Sequence, residues 1–571
     1  MKPLHEDDHY AVFEKPWGIS THSADEGDLG LCEWLKLHHG LSLFVVSRLD
    51  KETSGPIIFA KTRAASAEAE VIHVTKGATK TYQFISVLPK QSTAGAATAA
   101  QSNDARVFSR RRERSSRPVH ETHTSKPIDE TKQKEFSVNP RRSWRVEEPL
   151  DGKPACTEFQ IIEELSERSF LIEATIHAGR KHQIRRHAAI SGFPILGDSV
   201  YGGMPFVRVM LHCTSLNWPA LPKKITSQLP GAFLFLKDRL LNCDLELLSS
   251  NIELLTLLAL DRRGKFFTAG SDAFRIVHRQ ECIKDFAIEC FGKEICVWVY
   301  DEHDLHDAEK SACIVAKILG FSGGVVKSLL KDPHNLGVLS NNSVLQFAES
   351  AEPTVNTISE HGLIFKVNLH TTEQNGFFID QRDNRRRVFR MAKSLKVANL
   401  FAYTCSFSVV AAAAGARSVV SVDVSKSALS EGLENLRINN LEQQCNFKLA
   451  PDDVRVWLER QVRKSREADW EHFNLVICDP PTFGKTAGKS AFRIQKEWSE
   501  LAKNVAQILH PTNGQALFCT NNRRLETEDL KETLQNFFHT VVRHRTPLDF
   551  PETVDQRHNR FFWCSGPIQR F

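Results

Sequence analysis

The chain has 571 residues, a hydrophobic share of 41% and a formal net charge of +5. That length exceeds what one hydrophobic core usually supports, so two or more domains are expected, and the apolar share suits globular ones. The net charge is too small to indicate a nucleic-acid partner by itself, and local clustering carries more information than the total. No apolar run approaches the length of a membrane span, and the start Met1-Lys2-Pro3-Leu4-His5-Glu6-Asp7-Asp8 has no apolar signal core, so a cytoplasmic protein is expected. Thirteen cysteines are scattered without a C-x-x-C pair or a His cluster at zinc spacing. They read as reduced thiols, and no metal site is expected.

In chain order, Tyr10 to Phe13 is a short apolar strand leading into the turn Lys15-Pro16-Trp17-Gly18, whose Pro and Gly fix the backbone for structural reasons. Leu43 to Val46, the charged turn Arg48-Leu49-Asp50-Lys51-Glu52-Thr53-Ser54-Gly55 and Pro56 to Ala60 read as strand, loop and strand. On spacing alone, an exposed surface turn explains Asp50 better than a catalytic role does. Tyr82 lies in an alternating strand, Lys80 to Phe84. From about residue 91 to 142 apolar periodicity disappears and arginines cluster at 110–117, which predicts a disordered insertion, with RNA-backbone contact and a bare solvated loop equally compatible. Strands resume at Thr157 to Ile161 and Phe170 to Ala174. The first domain is expected to close near Leu211-His212, with a tail to about residue 247.

The octapeptide RLDKETSG resembles the signature of the RluA-type pseudouridine synthases. Three further blocks stand in that family's order: Glu14-Lys15-Pro16-Trp17-Gly18, Lys80-Thr81-Tyr82, and Gly179 to His187 with Gly197-Asp198-Ser199-Val200-Tyr201-Gly202. The resemblance spans roughly residues 9 to 220. It implies an α+β domain with a mixed, mostly antiparallel sheet that isomerises uridine in RNA without a cofactor. Asp50 is then the catalytic residue, Arg185 the cation that pairs with it and keeps a buried carboxylate ionised, and Tyr82 a ring stacked on the extruded base. Arg48, Arg180, Lys181, His182 and Arg186 are the implied RNA contacts. Where the family commonly has His before Arg-Leu-Asp, this chain has Ser47.

Short strands at Phe274 to Val277, Phe286 to Glu289 and Ile295 to Val299, then a helix from about Leu305 to Leu319, mark residues 250 to 365 as a small accessory α/β unit, read as an RNA-binding or linking element. The segment Asn375-Gly376-Phe377-Phe378-Ile379-Asp380-Gln381-Arg382 opens a helix running to about Ser394. It is followed by the strand Lys396 to Phe401, the turn Ala402-Tyr403-Thr404-Cys405-Ser406, a helix from Phe407 to Ala414, and the strand Ser418 to Asp423. Strand, tight turn, helix, strand and terminal Asp describe a nucleotide-binding unit in which the acid accepts ribose hydroxyls. With no G-x-G-x-x-G, a pyrophosphate cofactor is disfavoured and S-adenosylmethionine suits the unit. Asp453 lies where a third strand would end, facing the adenine. Asp479 opens Asp479-Pro480-Pro481-Thr482-Phe483 just beyond the strand Phe473 to Cys478, a rigid platform for a base beside a methyl donor.

This half resembles the class I S-adenosylmethionine-dependent methyltransferases of ribosomal RNA over about residues 272 to 563, nearest to the RlmK type that methylates guanine N7 in large-subunit RNA. The motifs carrying the resemblance include NGFFIDQRDNR, NLFAYTCSFSVVAAAAGA, VVSVDVS, DPPTF and Thr520-Asn521-Asn522-Arg523-Arg524. They imply a Rossmann-like domain over 366–571 after a first domain over 1–247. Asp380, Arg382, Phe401, Tyr403, Thr404, Cys405, Asp423, Asp453 and Asp479 are the implied cofactor contacts, Asp479 also catalytic, with Arg523 and Arg524 on RNA. Cys405 stands where the family turn usually has Gly. The rival chemistry, 5-methylcytosine, needs a cysteine nucleophile where this chain has Asn521, with Cys519 two residues away on the same strand face. Guanine N7 needs only positioning and stabilisation of the product cation. The whole reads as a bifunctional enzyme acting on ribosomal RNA, or on transfer RNA; the other class of reading is a noncatalytic RNA-binding scaffold with a decayed site.

Overall fold

The computed structural model describes residues 1–568 except 24–28, 76, 90–142, 178, 242–244, 249, 264–269, 280–283, 322, 332–337, 347–356, 370–374, 485–491, 523 and 551–558. The Arg-rich insertion and Arg523 therefore lie outside the described residues. Among the described residues no helix is long and apolar enough to cross a membrane, and no group of three His, Cys, Asp or Glu side chains is arranged to hold a metal.

Two antiparallel sheets form the first part. One is ordered β1-β2-β4-β3, with β1 at His5–Glu6, β2 at Tyr10–Lys15, β3 at Phe44–Val45 and β4 at Gly55–Ala60. The other is ordered β10-β9-β5-β8-β7-β6, with β5 at Thr79–Val87, β6 at Ser143–Val146, β7 at Thr157–Ser166, β8 at Ser169–Ile176, β9 at Leu211–Asn217 and β10 at Ile225–Thr226. Helices α1 (Leu31–His39), α2 (Arg63–Val74), α3 (Gln183–Ile190) and α4 (Gly231–Arg239) flank these sheets. The expected strands around the octapeptide are present, and both residues of β3 are exposed. Gly55, at φ 122°, packs so closely on Cys213 that a Cβ there would sit 2.3 Å from its carbonyl oxygen, which explains Gly at the end of the octapeptide.

Helix α5 (Ile252–Arg263) leads into a five-stranded sheet ordered β11-β12-β13-β14-β15, with β11 at Ala273–Val277, β12 at Phe286–Phe291, β13 at Glu294–Val299, β14 at Gly323–Lys331 and β15 at Val338–Gln346. Helix α6 (Leu305–Leu319) crosses from β13 to the parallel β14. Both faces of this sheet are used, because alternate residues of a strand point to opposite sides. Phe274, Ile276, Ile288, Ile295 and Val297 join the core that also holds Phe13, Phe84 and Leu258. Ala273, Phe291 and Cys296 join a second core with Ile379, Val409 and Leu517. Apolar packing thus runs without a break from the first part into the accessory sheet and from there into the last part. Trp17 fixes the first junction: its indole N–H donates to the Leu258 carbonyl at 3.2 Å, and the Arg208 and Arg262 guanidiniums lie 5.2 and 5.0 Å from its ring.

The last part begins with the hairpin β16 (Thr357–Glu360) and β17 (Leu363–Lys366) and the helix α7 (Arg382–Met391). Its seven-stranded sheet has the order β20-β19-β18-β21-β24-β26-β25. The strands are β18 (Lys396–Leu400), β19 (Ser418–Asp423), β20 (Asn446–Pro451), β21 (Leu475–Cys478), a short pair β22 (Phe483–Gly484) and β23 (Phe492–Arg493) outside the sheet, β24 (Gln515–Thr520), β25 (Phe538–His544) and β26 (Arg560–Pro567). The first five in that order are parallel, β26 runs antiparallel to them, and β25, antiparallel to β26, runs in their direction. Helices α8 (Ser406–Ala413), α9 (Lys426–Ile438), α10 (Val454–Lys464), α11 (Ile494–Ile508) and α12 (Thr527–Gln535) cover the faces. The fully apolar run of β21, and the near-complete burial of β18, follow from coverage on both faces. The chain reverses direction across the sheet at β18, and such a switch point leaves a crevice at the carboxyl ends of the strands.

One further contact ties the first part directly to the last. His38 at the end of α1 is buried, with Nε2 2.9 Å from the Asp383 carboxylate on α7 and Nδ1 3.1 Å from His361 Nε2 in the hairpin turn. Arg386 donates to the Leu37 and His38 carbonyls at 3.2 and 3.0 Å, and Arg390 also reaches the Leu37 carbonyl. Guanidiniums from α7 therefore cap the carbonyl end of α1, where the helix dipole favours positive charge.

Candidate functional site

Two separate clefts contain the residues expected to act. In the first, Asp50 sits in the turn before β4 with its side chain 31% exposed, so it is accessible and less buried than expected. Its backbone carbonyl accepts from Thr53 N at 3.0 Å, and the Lys51 carbonyl next to it accepts from Gly18 N at 2.7 Å. The Lys15 ammonium, fully buried, donates to the carbonyls of Pro16, Ile19 and Lys51. Burial pushes its pKa down to about 7. The turn is thus held from beneath by the block preceding it in sequence.

Arg185 approaches Asp50 with Nη1 at 4.0 Å, but its principal partner is another residue. Nε and Nη2 donate to the two oxygens of Asp198 at 2.6 and 2.7 Å, both side chains nearly inaccessible. The expected direct pairing is corrected accordingly: Asp198 fixes the guanidinium in a bidentate fork and leaves its third nitrogen facing Asp50. Arg185 also lies 5.2 Å over the Tyr201 ring, whose hydroxyl is 3.0 Å from His182 Nδ1. Tyr82 is buried in the middle of β5 opposite Cys213, and burial first, then Cys213 and Asp50, holds its hydroxyl protonated. Ser47 accepts from the buried Lys80 ammonium at 2.6 Å. Of the implied RNA contacts, Arg48 and Lys181 are exposed, Arg186 pairs with Asp151 at 3.1 Å, and the Arg180 side chain donates to the Pro154 carbonyl at 3.3 Å. Asp198 and Lys80 lie within quoted sequence blocks, but their partners are visible only in the fold.

The second cleft opens at the carboxyl ends of β18, β19 and β21 as a cavity of 570 Å³ lined by Phe401, Tyr403, Asp423, Asp453, Asp479 and Cys519, among others. Asp423 accepts from the backbone N–H groups of Tyr403 and Ser425 at 2.9 and 2.8 Å, which orients its carboxylate at the strand end. Asp453 is the N-cap of α10, and its carboxylate is engaged by Arg455 at 2.7 and 3.0 Å, so it faces the cavity as half of an ion pair. Asp479 accepts from Gln381 at 2.9 Å, and burial, reinforced by Asp380, pushes its pKa up to about 7. Burial likewise raises Asp380 to about 6. The donor set fits S-adenosylmethionine: an acid oriented at a strand end for ribose hydroxyls, apolar rings Phe401 and Phe492 with centroids 5.4 Å apart for a flat base, and the Asp479 carboxyl for a cation.

Three expected cofactor contacts are corrected. Arg382 is buried in a bidentate pair with Asp549 at 2.9 Å and also donates to the Ala273 carbonyl, so it joins the accessory sheet to the last part and does not line the cavity. Thr404 donates to the Gly376 carbonyl at 2.6 Å behind the turn. Cys405 is fully buried at φ 61° and points at α9, where a Cβ on Gly432 would lie 2.4 Å from its sulfur. Gly432 therefore supplies the space that a Gly at position 405 would have left. Cys519 lines the cavity, 3.9 Å from Gln381 Oε1. Burial first, then Asp479, holds its thiol well above the ordinary range. Asn521 is exposed and accepts from Thr482 at 2.5 Å.

Comparison with known proteins assigns each cleft to a class. Residues 9–189 match the family model for RNA pseudouridylate synthases, and residues 341–558 match that for S-adenosylmethionine-dependent methyltransferases. The chain thus carries one segment similar to each family, and the cofactor that the second family's description names is S-adenosylmethionine. Among curated proteins, the ribosomal RNA large subunit methyltransferase K/L of Colwellia psychrerythraea is 34% identical over 169 residues, covering 29% of this chain and 22% of that protein. The chain thus spans about a fifth of that relative's length. Among solved structures, an S-adenosylmethionine-dependent methyltransferase from Agrobacterium tumefaciens is 19% identical at TM-score 0.39, covering 52% of this chain and 91% of that one. The human RNA pseudouridylate synthase domain containing 4 is 22% identical at TM-score 0.27, covering 43% and 94%.

Proposed function

We propose that this protein modifies RNA twice, isomerising uridine to pseudouridine in the first cleft and methylating a ribosomal RNA base, guanine N7, in the second. For the isomerase, the observation that carries the reading is Asp50 itself, accessible on a braced turn and 4.0 Å from a guanidinium already fixed by Asp198. The glycosidic bond must break without hydrolysis, so a carboxylate in place of water serves as nucleophile or as base at the ribose.

For the methyltransferase, Asp423 would hold the ribose of S-adenosylmethionine, with Phe401 and Phe492 against the adenine. The bound cofactor supplies an electrophilic methyl group. Asp479 lies where positive charge is handed over, and its ionised form stabilises it in the product guanine. A buried Cys519 whose thiol is held protonated is a poor nucleophile, which favours guanine N7 over cytosine carbon 5.

The test is mass-spectrometric mapping of modified nucleotides in total RNA from cells with and without the gene. Loss of one pseudouridine and one N7-methylguanine is expected, and Asp50→Asn should remove only the former. Loss of 5-methylcytosine, with covalent trapping on RNA containing 5-fluorocytosine and an inactive Cys519→Ala, would replace the guanine assignment. No change in either modification would favour a noncatalytic scaffold.

A further inference from the structure

Beside the cofactor cavity lies a larger one of 1200 Å³, walled on one side by the accessory sheet and on the other by the methyltransferase part. The two cavities share Phe378, Asp380, Thr482 and Asn521 at their border. Its accessory wall follows from strand alternation. Arg275, Glu289 and Trp298 stand on the face opposite the apolar residues Phe274, Ile288 and Val297, and Arg275 is the cross-strand partner of Glu289. These groups are already engaged: Glu289 accepts from Arg275 Nε at 3.0 Å and from the Trp298 indole at 2.8 Å, while the Arg275 guanidinium lies 4.1 Å over the Phe550 ring. They make a rigid polar wall.

Three kinds of group at this cavity are not engaged. Phe378 is a 39% exposed ring, 5.5 Å from that of Tyr403. The Asp380 carboxylate has no side-chain partner among the described residues, although it is inset enough that burial raises its pKa to about 6. Arg493 and Arg524 are exposed and have no ion pair among the described residues. A flat apolar face, a carboxylate and free guanidiniums are complementary to a base, the N–H groups of a base edge, and phosphate.

We propose that this cavity receives one guanine nucleotide extruded from its RNA strand, the base lying on Phe378, its Watson–Crick edge read by Asp380 and its phosphates held by Arg493 and Arg524. The proposal rests on the methyltransferase reading above and assigns Asp380 to the base and not to the cofactor. A carboxylate matches guanine because N1–H and N2–H are adjacent donors that reach its two oxygens together. Adenine sets an acceptor, N1, beside its amino donor, and a carboxylate repels it. Extrusion is required because a base stacked in a helix cannot bring a ring atom up to a methyl donor sunk in a cavity. Thr482 and Asn521, hydrogen-bonded at 2.5 Å, stand with Asp380 at the border to the cofactor cavity.

The experiment uses the full chain in calorimetric titrations, first with S-adenosylhomocysteine and then, with that ligand saturating, with GMP, IMP, AMP and guanosine. GMP should bind about tenfold or more tighter than AMP, with IMP, which lacks the 2-amino donor, between them. Asp380→Asn should erase the GMP preference while leaving S-adenosylhomocysteine affinity within about twofold. Phe378→Ala should weaken GMP and AMP alike, and the paired Arg493→Ala and Arg524→Ala change should weaken GMP but not guanosine. Equal affinity for GMP and AMP, no nucleotide binding, or a GMP preference that survives Asp380→Asn would overturn the proposal while the methyltransferase reading stands. Failure to bind S-adenosylhomocysteine would overturn both.

Discussion

Replacing Asp479 by asparagine should stabilise the protein at neutral and higher pH while weakening its hold on S-adenosylmethionine. An unfolded aspartate titrates at about 3.8, whereas burial and the neighbouring Asp380 raise Asp479 to about 7 in the folded cavity. The folded state holds this proton more tightly, so below the unfolded value both states are protonated and no cost arises. Between the two values only the unfolded chain ionises, and stability falls as pH rises. Above the folded value the full cost remains, on the order of 4 kcal/mol as an upper bound for the shift of about three units. Asparagine cannot ionise and escapes that cost. Urea denaturation should show the variant level with wild type at about pH 4 and more stable by about 1–4 kcal/mol at about pH 8. S-adenosylmethionine carries a sulfonium that S-adenosylhomocysteine lacks, so the wild type's preference for the former should grow with pH through the range where Asp479 ionises. In the variant that growth should be lost. A variant no more stable than wild type at the higher pH, or a wild-type preference that does not change with pH, would refute this account.

Asp198→Ala removes one partner from a buried bidentate pair and should cost about 3–5 kcal/mol in urea denaturation, with pseudouridine formation lost and S-adenosylhomocysteine affinity unchanged; an unchanged pseudouridine yield would show that Arg185 does not need its fork. Gly432→Ala should destabilise by about 1–3 kcal/mol through collision with Cys405, and the double change with Cys405→Gly should recover most of the melting temperature. Failure of that rescue would mean the two positions do not share one space. Arg382→Met should lower stability by about 3–5 kcal/mol because Asp549 is left buried and unpaired, while S-adenosylhomocysteine still binds to the folded fraction; a selective loss of binding would return Arg382 to the cofactor site.

Legibility in the sequence follows the range of the interactions. Strands such as β19 and β21 are readable because they are rich in Val, Leu and Ile, and Asp423 and Asp479 are readable because each directly follows or ends such a strand. RLDKETSG is readable because turn chemistry and motif coincide in eight adjacent residues. What cannot be read is which charge answers which. Arg382 sits in a motif that suggests ligand contact, yet its partner Asp549 is 167 residues away. Arg185 was expected to spend its charge on Asp50, and the fold delivers Asp198 to it as a second, closer partner. Cys405 looks like a defect in a glycine turn until α9 brings Gly432 against it. Ser47 similarly finds Lys80 across the sheet. The accessory strands are legible by alternation, but their second buried face shows only when the methyltransferase sheet packs on it.

The junction of α1 with α7 bears on what kind of RNA can be served. His38, His361 and Asp383 form a buried relay, and burial lowers the pKa of both imidazoles, so the contact is built from neutral rings and does not depend on a surface charge that salt would screen. With Arg386 and Arg390 closing the end of α1, the contact joins the parts that hold the two clefts. On the proposed function, an RNA held in both clefts at once presents its uridine and its guanine at the separation and mutual orientation that this junction sets, whereas a substrate of another spacing is released and rebound between the two reactions.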